Sequence, residues 1–206
     1  MIYTLPGMGA DNTMHRGVWR GLPDSTFLDW PTYGGEQSIE ALARRIVDET
    51  GIQDGAVLIG TSLGGMVACE IARLRRLRRL ILISSAIEPK EVSRVLDFLH
   101  PSIVIAPIKL AQCAAARLPS HAARMFSRSE PAFLRAMCRA VFRWEGLDRA
   151  CIEPLRLHGR KDRLIPLPPN VHLVLDGGHL VAITHAEECV RFILASLAPV
   201  GARSDA

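Results

Sequence analysis

The stretch AVLIGTSLGG, residues 56–65, places a serine between an apolar run and a pair of glycines. Residues 56–60 are apolar without a break, which is typical of a short strand buried on both faces of a parallel sheet. Residues 63–74, which follow the serine, predict a helix. Ser62 therefore falls on the turn that leads from a buried strand directly into a helix.

The turn itself matches the pattern Gly-x-Ser-x-Gly, which carries a nucleophilic serine when a strand precedes it and a helix follows it. A sharp turn of this kind strains the backbone of Ser62 and exposes its hydroxyl. Glycine at positions 60 and 64 avoids collisions with the neighbouring strand and helix, and Gly65 leaves further room. The partial positive charge at the helix N-terminus favours a developing oxyanion. The alternative is an ordinary Gly-rich turn.

The same alternation of apolar runs and helical stretches continues outside this turn. Residues 38–50 have an apolar face at helical spacing, with Ser38 as the N-cap and Gly51 just beyond the end. A last helix is predicted at residues 187–197. Further strands are predicted at residues 2–5, 26–30, 80–84, 152–159 and 171–178. This order predicts an α/β fold in which helices cover both faces of a parallel sheet.

Composition and charge argue against a disordered protein and against a nucleic-acid-binding protein. The chain has 206 residues, of which 49% are apolar and 22% charged, and its net charge is +4. These values favour one folded domain. The basic run RLRRLRRL, residues 73–80, joins a helix to a buried strand and has no interleaved aromatic residues, so we expect no nucleic-acid partner.

Cysteine usage and the absence of targeting and ligand motifs indicate where the protein is located and whether it needs a cofactor. The five cysteines form no C-x-x-C pair, which predicts reduced thiols in a cytoplasmic protein. The N-terminus lacks the features of a signal peptide, and no apolar run reaches the about 18 residues of a membrane helix. The sequence also lacks a metal-ligand motif and a phosphate loop. We therefore expect no metal, no cofactor and no membrane partner.

The strand-serine-helix turn and the strand order resemble the α/β-hydrolase superfamily over most of the chain. The resemblance implies an α/β-hydrolase fold with about six strands in a mostly parallel sheet, the family's usual first two strands being absent. It also implies a single domain over residues 1–206. Residues 88 to about 146 interrupt the alternation and are expected to form a helical lid over Ser62.

The lid segment is rich in apolar residues, which either line a pocket for an acyl group or pack the lid onto the core. These residues include Ile103, Ile105, Ile108, Leu110, Phe126, Phe133, Met137, Phe142 and Trp144.

A catalytic acid is implied by the same resemblance, because the family orders its triad as serine, acid and histidine. LHGRKDRLIP, residues 157–166, is similar to the family's acid-bearing strand and loop and gives the acid as Asp162. Glu88 is the alternative acid, because some family members take it from the loop after the earlier strand.

The histidine and the oxyanion hole complete the implied catalytic set. LDGGHL, residues 175–180, places His179 after the last strand, whereas His185 falls near the start of the final helix. LPGMGAD, residues 5–11, resembles the loop that supplies one oxyanion donor, here the backbone N–H of Met8. The second donor would be the backbone N–H of Leu63, directly after the serine.

Taken together, the resemblance implies a serine hydrolase that cleaves a carboxylic ester or thioester of a small to medium acyl substrate through an acyl-enzyme. Two alternatives stay open. The same triad could serve acyl transfer, C–C hydrolysis or elimination, or the chain could be a catalytically silent binding or scaffold protein.

Overall fold

Six strands form the centre of the fold. The computed structural model describes residues 1–92 and 108–198. The strands are β1 (Ile2–Leu5), β2 (Ser25–Phe27), β3 (Val57–Thr61), β4 (Arg79–Ile83), β5 (Leu155–Gly159) and β6 (Leu173–Leu175). They lie in the order β2-β1-β3-β4-β5-β6, and every neighbouring pair is parallel. The predicted α/β-hydrolase fold with a parallel sheet of about six strands is confirmed.

Seven α-helices are found in the described residues. They are α1 (Ile39–Thr50), α2 (Leu63–Leu74), α3 (Ile108–Ala115), α4 (His121–Arg128), α5 (Pro131–Val141), α6 (Val181–Thr184) and α7 (Ala186–Leu197). Short 3₁₀ helices lie at Asn12–His15, Gly17–Gly21 and Pro89–Glu91. The predicted ends of α1 are confirmed, since the Ser38 hydroxyl accepts a hydrogen bond from the N–H of Ala41 and Gly51 is left-handed with φ 66°.

The sheet separates two apolar layers, because successive side chains of a strand point to opposite faces. Leu58 of β3 packs in the layer that contains α1 and α2. Its neighbours Val57 and Ile59 pack in the other layer with Trp19 and with Ile193 of α7. Full burial of one such aliphatic side chain contributes about 1.5–3 kcal/mol, so both layers fix the sheet in place.

The segment between β4 and β5 contains α3, α4 and α5. The predicted pocket residues Ile103 and Ile105 lie outside the described residues. Four of the others, Ile108, Phe133, Met137 and Trp144, are buried in the main core, whereas Leu110 is exposed. Most of this segment's described apolar residues therefore pack onto the core, and its function as a lid stays a prediction.

The carboxyl ends of parallel strands meet at one edge of a sheet, where open α/β folds bind ligands. The loops after β1, β3, β5 and β6 carry Met8, Ser62, Asp162 and His179 respectively. The topology therefore places all four loops at the same edge. Within residues 1–92 and 108–198, none of the helices is long and apolar enough to cross a lipid bilayer.

Candidate active site

Ser62 lies on a strained turn between β3 and α2. Its backbone has φ 53° and ψ −119°, a conformation that costs a non-glycine residue about 1–3 kcal/mol. The turn is also crowded: a methyl group on Gly64 would lie 2.6 Å from the carbonyl oxygen of Leu5, and one on Gly60 would lie 2.5 Å from the nitrogen of Gly65. Glycine at both positions is what allows the turn to close.

Ser85, after β4, supports this turn from the neighbouring strand. Its hydroxyl donates a hydrogen bond of 2.7 Å to the carbonyl oxygen of Ser62. The Ser85 carbonyl in turn accepts from Arg156 of β5, whose guanidinium forms a buried ion pair with Glu91 at 2.7 Å. Sequence spacing does not indicate this role for Ser85, because the contact depends on how the turns after β3 and β4 lie side by side in the sheet.

The structure brings three of the predicted residues into one hydrogen-bonded chain. Nε2 of His179 lies 2.9 Å from Oγ of Ser62, and Nδ1 lies 2.8 Å from Oδ2 of Asp162. A carboxylate only accepts hydrogen bonds, so the proton of a neutral His179 ring is on Nδ1. Nε2 then presents its lone pair to the hydroxyl of Ser62, which is the arrangement a general base requires.

Asp162 is surrounded by donors that favour its ionised form. Its Oδ1 accepts from the backbone N–H groups of Leu164 at 2.9 Å and Ile165 at 3.0 Å. Burial by itself would raise the pKa of this carboxyl, but hydrogen bonds from His158 and His179 outweigh it and hold the pKa well below the ordinary 3.8. Asp162 is therefore an anion at neutral pH and can stabilise a protonated His179.

His158 is the residue near the acid whose role sequence reasoning missed. Its side chain is buried on β5, and Nε2 lies 3.4 Å from Oδ2 of Asp162. In the sequence, His158 precedes a glycine at the end of a predicted strand, a place where a histidine usually has a purely structural role. The only sequence signal is that His158 precedes Asp162 by four residues, a spacing that by itself is common.

The two alternative residues, Glu88 and His185, are engaged elsewhere. Glu88 forms ion pairs with Lys90 and, at 3.2 Å, with Arg149. His185 lies at the start of α7, where its Nδ1 is 2.8 Å from the hydroxyl of Thr184. Among the hydrogen bonds of the described residues, none joins either side chain to Ser62, Asp162 or His179.

The loop after β1 approaches the serine closely. A methyl group on Gly7 would lie 3.6 Å from Cβ of Ser62. The next residue, Met8, and the first residue of α2, Leu63, each carry a backbone N–H, and neither donates to an acceptor in the part of the chain that the structure describes. Free N–H groups next to a serine are the donors that an oxyanion hole uses.

A cavity of about 380 Å³ opens beside Ser62 and His179. Four methionines line it together with aliphatic and aromatic side chains, and no Asp, Glu, Lys or Arg does so among the described residues. The methionines are Met8, Met14, Met66 and Met125. Of the apolar segment residues singled out in the sequence, Phe126 lines this cavity, so the segment between β4 and β5 forms part of its wall.

Metal-ligating side chains do not converge in the described part of the chain. His, Cys, Asp and Glu form no group of three or more there that could hold a metal ion. The five cysteines carry free thiols.

Comparisons with known proteins show that the fold of the chain is shared with solved structures. The chain is similar to a thermophilic esterase from Thermogutta terrifontis (21% identity, TM-score 0.73, 95% of this chain and 88% of that one). It is also similar to a hydrolase from Pseudomonas aeruginosa PA01 (16% identity, TM-score 0.72, 96% of this chain and 89% of that one). A third similar structure is the enol-lactonase from Burkholderia xenovorans LB400 (17% identity, TM-score 0.73, 95% of this chain and 90% of that one). None of the curated proteins matched. The model of the alpha/beta hydrolase family matches residues 1–192, and the chain therefore belongs to that family.

Proposed function

We propose that this chain is a serine hydrolase that cleaves a carboxylic ester or thioester of a small to medium, uncharged acyl group. The observation that carries the proposal is the hydrogen-bonded chain Ser62–His179–Asp162, with links of 2.9 and 2.8 Å, facing an apolar cavity. This arrangement joins a nucleophile, a base and an orienting acid at one place.

The reaction proceeds in two halves. His179 Nε2 takes the proton of Ser62 while Oγ attacks the acyl carbon, and the N–H groups of Met8 and Leu63 bind the resulting oxyanion. The intermediate collapses, the bond to the leaving group breaks, and that group takes the proton from His179. Water then attacks the acyl-enzyme, again with His179 as base, and releases the carboxylic acid and Ser62.

The cavity wall supports the choice of an uncharged acyl group. Burying a charge without a partner is costly, and the described wall offers a charged acyl group no counter-ion. Methionine side chains are flexible and polarizable, so a wall with Met8, Met66 and Met125 adapts to acyl chains of different length. The solved relatives named as an esterase and an enol-lactonase support ester chemistry.

The test compares wild type with Ser62→Ala on p-nitrophenyl esters and acyl-thioesters of acetyl to decanoyl length. Turnover that depends on Ser62, with a monosuccinyl ester as a poor substrate, is the expected result. Covalent labelling by a fluorophosphonate without any turnover would instead favour acyl transfer, C–C hydrolysis or elimination. If the chain shows no labelling and no turnover, the binding or scaffold alternative remains.

A further inference from the structure

Trp30, which follows β2, contacts the loop that carries Met8. Its indole Nε1–H donates a hydrogen bond of 3.1 Å to the carbonyl oxygen of Gly7. The same oxygen accepts from the N–H of Ala10 at 3.1 Å, and the N–H of Gly7 points to the sulfur of Met14 at 3.4 Å. Both backbone polar groups of Gly7 are therefore hydrogen-bonded. Within the described residues, the indole is the only side chain that donates to the Gly7 carbonyl oxygen.

The Gly7 carbonyl and the Met8 N–H belong to one peptide unit. That unit is trans and planar, so its C=O and N–H point in opposite directions. A donor that fixes the direction of the carbonyl therefore fixes the direction of the N–H as well. Hydrogen bonds also polarise one another, so a carbonyl that accepts two of them makes its N–H a better donor.

The indole is held in turn by the segment between β4 and β5. The ring of Trp30 packs against Phe133 of α5 with 5.3 Å between ring centroids. Phe133 is buried in the main core and also contacts Tyr33, at 6.3 Å between centroids. Trp30 thus has a fixed position between α5 on one side and the oxyanion loop on the other.

We propose that Trp30 is a positioning residue that aims the backbone N–H of Met8 at the developing oxyanion, acting through the Gly7–Met8 peptide. This inference rests on the proposed function. It assigns to the indole N–H a role in stabilising the transition state and no contact with substrate. It also makes Phe133 the residue that couples α5 to the oxyanion hole.

The test is Trp30→Phe, which removes the indole N–H and keeps an aromatic ring against Phe133. Removal of a whole oxyanion donor costs about 10²–10³ in kcat, so a misdirected donor should cost about tenfold, with KM changed less than about twofold. Trp144→Phe is the matched control, because it also removes an indole hydrogen bond, to Glu70 at 2.7 Å, but away from this loop. Its kcat should stay within about twofold of wild type.

A second variant keeps the test decisive if Trp30→Phe folds poorly. Phe133→Leu leaves the indole N–H in place but removes the ring that holds it, and should lower kcat by a smaller factor at unchanged KM. An alkyl boronic acid, whose tetrahedral adduct with serine resembles the transition state, should lose affinity in both variants in proportion to kcat.

Unchanged kcat and boronate affinity in the folded Trp30→Phe variant would overturn the inference while leaving the proposed function intact. Equal losses in Trp30→Phe and Trp144→Phe would overturn it as well. A wild-type chain without Ser62-dependent turnover would refute the proposed function, and the inference with it.

Discussion

His158 of β5 donates to two acceptors in the loop that directly follows β5 and carries Asp162. Its Nε2 lies 2.8 Å from the carbonyl oxygen of Ile165 and 3.4 Å from Oδ2 of Asp162. Both partners only accept, so Nε2 carries the proton, while the buried Nδ1 has no partner in the described chain. His158 therefore holds Asp162 and Ile165 of this loop in place relative to each other, and it stabilises the charge of the Asp162 carboxylate.

We expect His158→Phe to lower kcat about tenfold, because a shifted carboxylate orients His179 less well. The measurement is kcat with a short p-nitrophenyl ester, checked against the melting temperature. A double-mutant cycle isolates the mechanism: in an Asp162→Asn background, His158→Phe should have little further effect on kcat. Effects that simply add in free energy would show that His158 does not act through Asp162.

Asp162→Asn should lower kcat by about 10³-fold or more, because an amide favours the wrong tautomer of the histidine. Glu88→Gln is the matched control and should leave kcat within about twofold of wild type. Because hydrogen bonds from His158 and His179 hold the pKa of Asp162 below its ordinary value, its ionisation should add no inflection to the pH–rate profile above about pH 4. A large loss in Glu88→Gln would transfer the role of the acid to Glu88.

Local pattern was sufficient to predict the turn at Ser62, α1 and α2. Each depends on neighbouring residues: glycines in the turn, Ser38 and Gly51 at the ends of α1, and apolar spacing along both helices. Asp162 and His179 came from resemblance, and the geometry brings them together with Ser62. The roles of Trp30, Ser85 and His158 were missed, because each depends on contacts that spacing along the chain does not reveal.

Strand ends were the least accurate part of the prediction. The predicted strand at residues 171–178 is only Leu173–Leu175, because the chain then turns: Lys161 donates to the carbonyl of Gly177, at 2.8 Å. The predicted strand at 152–159 begins at Leu155, where pairing with β4 starts. Apolar runs mark what is buried, whereas a strand ends where its hydrogen-bonded partner ends.

His15 should make the fold sensitive to mild acid. Its ring is fully buried against Trp19, and neither nitrogen has a hydrogen-bond partner among the described residues. Burial, aided by the charge of Arg20, lowers its pKa from 6.5 to about 3. Between these values the unfolded chain binds a proton that the folded chain refuses, so stability present above pH 6.5 is lost as the pH falls.

The loss due to His15 should be about 2 kcal/mol between pH 7 and pH 5. Urea denaturation at both pH values measures it. His15→Phe should remove this share of the pH dependence, whereas His172→Gln, at an exposed position, should retain it. An unchanged slope in His15→Phe would mean that His15 is not the group that titrates.

Trp144→Phe should destabilise the fold by about 1–3 kcal/mol, because it leaves the buried carboxylate of Glu70 without its indole donor. Burial already raises the pKa of Glu70, so its charged form is the costly one. A raised pKa gives stability that is lost as the pH rises, so the variant's deficit should be larger at pH 8 than at pH 5. Urea denaturation at the two pH values tests this.

Adding Glu70→Gln to Trp144→Phe provides the control, since the amide carries no charge and should recover most of the loss at pH 8. A deficit that persists in the double variant would assign it to packing around the lost indole ring.

The central claim is that Ser62 is a nucleophile activated by His179, and the rate of its modification by a fluorophosphonate measures this most directly. Peptide mass spectrometry locates the adduct in wild type, Ser62→Ala, His179→Ala and His185→Ala. We predict an adduct on Ser62 in wild type and no adduct in Ser62→Ala. The rate of modification should fall by at least about 10³-fold in His179→Ala and stay within about twofold of wild type in His185→Ala. An adduct on another residue, or a loss of rate in His185→Ala in place of His179→Ala, would contradict the account.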